Sequence, residues 1–298
     1  MTNKVEHWQL KQRQGLPLEL KVRLSEERIR AWHEHYDGQV FVSFSGGLDS
    51  TVLLHLVRSI YPDTPAAFAH DLPYPEIVDF VKETENVTTF RPKMPFNRVV
   101  EHYGYPVVSK RIAQYVSEVQ RSRGETATKR LRLTGIRSDG THSPMGMISK
   151  KWQYLCDAPF KIHDDCCMVL KKNPLKEAES RFGYPLVGVR ADEASQRAQT
   201  YYIHGCNAFN LKRPRSWPLA FWTHDDIWNY IHQFNVPYSK IYDMGYTSTG
   251  CFACMFGVHL EKEPNRFQRM RVTHPSLWKY CEKIGIPEVL DYIGVSYD

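Results

Sequence analysis

The 298 residues carry 39 Lys and Arg against 33 Asp and Glu, a net charge of +6 that suits a polyanionic substrate without requiring one. A hydrophobic fraction of 42% beside 24% charged residues allows a full core, which excludes a disordered chain. Met1–Lys21 is polar and no later stretch approaches the ~20 apolar residues that span a bilayer, so a cytoplasmic protein with no membrane partner is expected.

In chain order, the stretch after Pro17 from Leu18 to Tyr36 reads as a helix that Gly38 ends. Gln39–Phe44 is a short apolar strand, and Thr51–Ile60 resumes helical spacing. Ala66–His70 is the next strand, followed by a helix from Pro75 to Glu83 that starts on a proline, where the missing N–H costs nothing. Residues 121–147 form a basic surface excursion around one expected strand, Leu133–Ile136. Pro185–Val189 is a further strand, and Thr223–Phe234 a helix with Thr223 as N-cap. Gly245–Gly257 reads as a loop holding something, and Leu277–Ile284 as an amphipathic segment that buries Cys281. The expected fold is α/β, a parallel twisted sheet with helices on both faces. Its expected parts are a helical segment at 1–38, a nucleotide-binding α/β domain at 39–245 and a C-terminal cysteine-rich, helical region at 246–298.

Between the first strand and its helix lies Ser45-Gly46-Gly47-Leu48-Asp49-Ser50-Thr51. Glycines let backbone N–H groups turn inward, the helix N-terminus adds partial positive charge, and the hydroxyls of Ser45, Ser50 and Thr51 are further donors for phosphate oxygens. No Walker A lysine is present. The segment matches SGGxDS, the motif of the PP-loop ATP pyrophosphatases, and the resemblance implies ATP binding with cleavage between the α and β phosphates.

Gly188-Val189-Arg190-Ala191-Asp192-Glu193-Ala194-Ser195-Gln196-Arg197 resembles a segment of the phosphoadenylyl-sulfate (PAPS) reductase family, with Ala194 where serine is usual. Trp217-Pro218-Leu219 and Trp222-Thr223 through Tyr230 resemble a second such segment, and Asp71-Leu72 with Pro75-Glu76 a nucleotide-proximal loop. Arg190 and Arg197 offer planar forks for phosphate or sulfate, with Glu193 placed to orient one of them. The aromatic run Trp217, Trp222, Trp228 and Tyr230 reads as core.

Seven cysteines form an odd set that fits metal or redox chemistry better than a secreted disulfide framework. Cys166-Cys167, then Lys171-Lys172-Asn173-Pro174-Leu175, then Cys251-Phe252-Ala253-Cys254 is similar to the arrangement with which adenylyl-sulfate reductases hold a [4Fe-4S] cluster. Zn²⁺ on the same four thiolates is the alternative, although vicinal cysteines suit tetrahedral zinc badly. Cys156 and Cys206 stay open, as substitute ligands or as a sulfur-carrying nucleophile.

Two departures from the reductase pattern shape the functional expectation: the chain ends Tyr297-Asp298 without the reductases' Glu-Cys-Gly-Leu-His segment, and its SGGxDS loop is intact. That combination resembles the DndC/SspD-type proteins of DNA phosphorothioation. The resemblance implies an ATP pyrophosphatase that adenylylates an acceptor for sulfur transfer, with ATP and Mg²⁺ as cofactors and Asp49 helping to hold the metal. A nucleic acid or another sulfur acceptor, and a cysteine desulfurase as donor, are the implied partners, and a homo-oligomer is left open. Lys129-Arg130-Leu131-Arg132 and Lys212-Arg213-Pro214-Arg215 would contact phosphates or form a solvated face. A sulfonucleotide reductase and a non-catalytic nucleotide- and cluster-binding subunit remain as alternatives.

Overall fold

The computed structural model describes residues 5–298. In chain order it contains α1 (His7–Gln14), α2 (Leu18–His35), β1 (Val40–Ser43), α3 (Leu48–Ile60), β2 (Ala66–Ala69), α4 (Pro75–Glu83) and β3 (Val87–Phe90). Next come α5 (Phe96–His102), β4 (Val107–Val108), α6 (Lys110–Arg121), α7 (Ala127–Thr134), α8 (Asn173–Phe182), β5 (Tyr184–Val187), α9 (Ser195–His204), β6 (Asn207–Ala208) and β7 (Arg215–Ser216). The last elements are α10 (His224–Phe234), β8 (Met255–Phe256), α11 (Arg266–Thr273), α12 (Pro275–Lys283) and α13 (Ile286–Tyr292). No helix among the described residues is long and apolar enough to cross a membrane.

The chain divides into two compact units: the residues up to Arg91 with Asn173–Thr249, and Pro92–Lys172 with Gly250–Asp298. This differs from the expected division at 39–245 and 246–298. Residues 92–172 leave the sheet unit and join the C-terminal segment, a long-range pairing that local periodicity does not encode. One strand pair illustrates it: β4 lies parallel to β8, with Val107 beside Met255.

The first unit holds a six-stranded sheet in the order β3-β2-β1-β5-β7-β6, parallel except for β6 against β7. Its central strands β1, β2 and β5 are short apolar runs because both their faces are covered, as parallel sheets require. Phe41, Ala67 and Phe90 face α8, where Ala178, Leu175 and Phe182 close one core. Val40 and Val42 alternate to the opposite face, the side on which α2, α3 and α10 pack together. There Lys21 is 2% exposed; its ammonium donates to the Asp226 carboxylate at 2.6 Å and to the Gln14 carbonyl at 2.7 Å. Asp226 also accepts from the N–H and hydroxyl of Thr223, so the expected N-cap holds and is joined to a buried ion pair. Trp222 and Tyr230 are core residues as expected, whereas Trp217 and Trp228 are partly exposed.

In the second unit α7 takes the first half of the expected strand 133–136, and Ile136 makes only an isolated antiparallel bridge with His142. The Thr126 hydroxyl accepts from the Lys129 N–H at 3.0 Å, and Gly135 ends the helix at φ +76°. Between those stops, the run of Lys, Arg and Leu has good helix propensity, which overrides the short apolar patch. Cys281 is fully buried on α12, as its spacing implies.

Candidate functional site

The loop between β1 and α3 is organised by its own side chains. Gly46 adopts φ +73°, which glycine tolerates without strain. The hydroxyls of Ser50 and Thr51 donate to the Gly47 carbonyl at 2.9 and 3.0 Å. Ser50 Oγ also accepts from the Ser45 N–H at 3.1 Å and lies 3.0 Å from Ser45 Oγ. These bonds hold Leu48, Asp49 and Ser50 in a first helical turn, so α3 starts three residues earlier than expected. They also turn Ser50 and Thr51 inward, onto the Gly47 carbonyl.

The Leu48 N–H, at the positive end of α3, donates to the Tyr242 hydroxyl at 3.1 Å, and that hydroxyl lies 3.2 Å from Thr249 Oγ1. Sequence reasoning missed Tyr242, a lone tyrosine outside any motif, and marked Thr249 only as part of the Gly245–Gly257 loop. Gly188 backs the loop from the end of β5: a Cβ there would stand 2.8 Å from the backbone of Asp49 and Ser50, so only glycine fits. Asp71 follows β2, its N–H bonded to the Ala69 carbonyl at 2.9 Å.

Arg190 is the hub of this loop. Its side chain is 7% exposed, its Nε donates to Asp49 Oδ1 at 2.9 Å, and its NH1 donates to both Asp192 oxygens at 2.7 Å. Asp192 in turn accepts from the His224 N–H at 2.9 Å. Burial raises the Asp49 carboxyl above its ordinary value, and the Arg190 guanidinium opposes the shift. Asp49, expected to help hold Mg²⁺, accepts from Arg190 through one carboxylate oxygen. Glu193 accepts from the Arg190 N–H at 3.1 Å and pairs with Arg197, the orienting role expected of it. Asp192, the bidentate partner of Arg190, was not singled out from sequence, since an acid among acids carries no spacing signal.

The expected phosphate contacts at Lys212–Arg215 are corrected in part: Arg213 and Arg215 both pair with Glu179 on α8 and are spent inside the unit. In the second unit, Arg132 pairs with Glu118 at 2.6 Å and lies over the Tyr115 ring, so it too is structural. Lys129 and Arg130 lie toward solvent on α7.

The second unit gathers Cys166, Cys167, Cys251 and Cys254, all as free thiols. The Cys254 N–H bonds to the Cys251 carbonyl at 3.0 Å, forming the turn that brings that pair to one side. A hydrogen bond with Cys166 is the largest influence on Cys167, followed by burial, which opposes it, and by the charges of Lys110 and Lys171; together they bring its thiol below the ordinary cysteine range. The same hydrogen bond, together with burial, raises Cys166, and the charges of Cys251 and Cys254 add to the rise. Burial raises Cys254, with Arg266 opposing. Four thiols within electrostatic reach of one another, with two lysines and an arginine as counter-charge, fit a group that takes four thiolates. Cys156 and Cys206 stand outside this set, and burial pushes each thiol up to about 11. Neither is an activated nucleophile at neutral pH.

Comparison with known proteins places these features. Residues 39–256 match the Phosphoadenosine phosphosulfate reductase domain family. The adenosine 5'-phosphosulfate reductase of Lysinibacillus sphaericus is 24% identical over 228 residues, 76% of this chain and 78% of that protein. That of Staphylococcus haemolyticus is 25% identical over 76% of this chain and 74% of its own length. The crystal structure of PAPS reductase from Candida auris, a phosphate complex, aligns at a TM-score of 0.45 and 15% identity, covering 84% of this chain and 97% of that one. Relatives named reductases over three quarters of the chain overturn the expected adenylylating sulfur transfer in DNA phosphorothioation. The intact loop, read beside the absent Glu-Cys-Gly-Leu-His segment, carried that expectation. The chain belongs to the Phosphoadenosine phosphosulfate reductase domain family.

Proposed function

We propose that the chain is a sulfonucleotide reductase, binding adenosine 5'-phosphosulfate or its 3'-phosphorylated form at the Ser45–Thr51 loop with Arg190 and Arg197. The observation that carries this reading is the Asp49–Arg190–Asp192 arrangement. It commits the loop's carboxylate to fixing a guanidinium, the group that recognises phosphate and sulfate oxygens by bidentate hydrogen bonds. In the reaction the bond between sulfate sulfur and the bridging oxygen breaks, AMP leaves, and two electrons from an external dithiol appear in sulfite as the dithiol becomes a disulfide.

Cys166, Cys167, Cys251 and Cys254 would hold a [4Fe-4S] cluster, with Lys110, Lys171 and Arg266 balancing thiolate charge. When bound, such a cluster supplies a redox-active iron–sulfide core. The test supplies the anaerobically purified protein with ³⁵S-labelled adenosine 5'-phosphosulfate or PAPS and a dithiol. Labelled sulfite from one of them is the expected result; no sulfite from either, with pyrophosphate from ATP, would overturn the proposal.

A further inference from the structure

A cavity of about 800 Å³ lies in the first unit, walled by α1, α2 and the chain that leaves α9. Arg13 projects from α1, Arg28 and Ala31 from α2, and His204 and Cys206 from the α9 end, with Phe209 beyond. None of the loop residues Ser45–Thr51, and neither Arg190 nor Arg197, lines it. Arg13 and Arg28 also precede residue 39, outside the stretch that matches the reductase domain. This is a second concavity, built in part by helices that the family match does not include.

Its electrostatics are one-sided. No lining residue is Asp or Glu. Arg13 donates to the Tyr201 hydroxyl, Arg28 reaches the Cys206 thiol, and the carboxylate near Arg28, that of Glu27, is exposed and 4.0 Å away. Two half-buried guanidiniums, one from α1 and one from α2, leave positive charge to be balanced by something that enters. Ala31 and Phe209 supply apolar surface for an organic body, and the volume falls within the roughly 300–1,000 Å³ of small-molecule sites.

We propose that this cavity binds a phosphate ester of nucleotide size, separately from the substrate held at the Ser45–Thr51 loop. Its phosphate lies between Arg13 and Arg28, and its organic part fills the cavity toward Phe209. Because α9 carries Arg197 in its first turn and His204, at its end, lines the cavity, the bound ester rests on the helix that presents a substrate arginine. The inference does not depend on which nucleotide the loop accepts.

The test is calorimetric titration of the full chain with AMP, inorganic phosphate and adenosine in an Arg190→Ala background, which weakens the loop site. One AMP per chain should still bind. Adding Arg28→Gln should weaken it about 10-fold or more, the loss of a charged hydrogen bond. Ala31→Trp, which fills the cavity and leaves both guanidiniums in place, should remove binding and decides the question even where Arg28→Gln lowers the melting temperature. Adenosine should not bind, and phosphate should bind more weakly than AMP. Loss of AMP binding in Arg190→Ala alone, unchanged affinity in Arg28→Gln and Ala31→Trp, or phosphate binding as tightly as AMP would each overturn the proposal.

Discussion

The loop of the first unit and the four thiols of the second handle polar groups in opposite ways. Around Ser45–Thr51 almost every group has a partner inside the protein: hydroxyl to carbonyl, guanidinium to two carboxylates, helix N–H to tyrosine. Around Cys166 and Cys254 the thiols gather beside cations with no disulfide to use them. The first region is pre-organised and keeps its shape without a guest. The second concentrates ligand atoms and positive charge that an added group completes.

If that contrast is right, the cysteines respond to substitution all at once and the loop by degrees. Cys254→Ser should lose essentially all bound iron and its visible absorbance, while Cys281→Ser keeps both; iron retained in Cys254→Ser would remove that residue from the ligand set. Arg190→Ala should lower kcat/KM for the sulfonucleotide about 10³-fold while iron content stays unchanged, since a pre-organised charged donor is lost from a water-poor site. A fall in iron together with activity would mean that the two regions are not independent.

Smaller effects sharpen the loop side. Tyr242→Phe removes one hydroxyl from the start of α3 and should cost about 1 kcal/mol of binding, roughly fivefold in KM. An unchanged KM would make the tyrosine a packing residue only. The smallest effect is in pH dependence. Because the folded Asp49 carboxyl is raised, the native state holds that proton more tightly than the unfolded chain. Its contribution to stability is therefore lost as pH rises from the ordinary carboxylate range through the Asp49 value. Denaturant midpoints of Asp49→Asn should lack that slope; an identical slope in the variant would place its origin elsewhere.

Much of the sheet unit was legible in sequence because short apolar runs, glycines and proline punctuate it. Ala66–Ala69, Pro75–Glu83 and the Thr223 cap stand within a residue of their expected places. The residues of the loop and the Arg190 segment were legible as motifs, but their roles were not. SGGLDS reads identically whether Asp49 faces a metal ion or an arginine 141 residues away. Nor could spacing reveal Tyr242 or Asp192, whose contacts exist only once α3, β5 and the 240s meet. The strand expected at 133–136 failed for a local reason, the capping of α7 by Thr126 and Gly135, which carries Leu133 and Thr134 into the helix.

The central claim is that the loop's acid anchors Arg190 instead of a nucleotide-bound metal ion. Sulfite release from the sulfonucleotide, measured with EDTA present and ATP absent, tests it most directly. Undiminished sulfite is the predicted result; sulfite that forms only when Mg²⁺ and ATP are supplied would contradict the account.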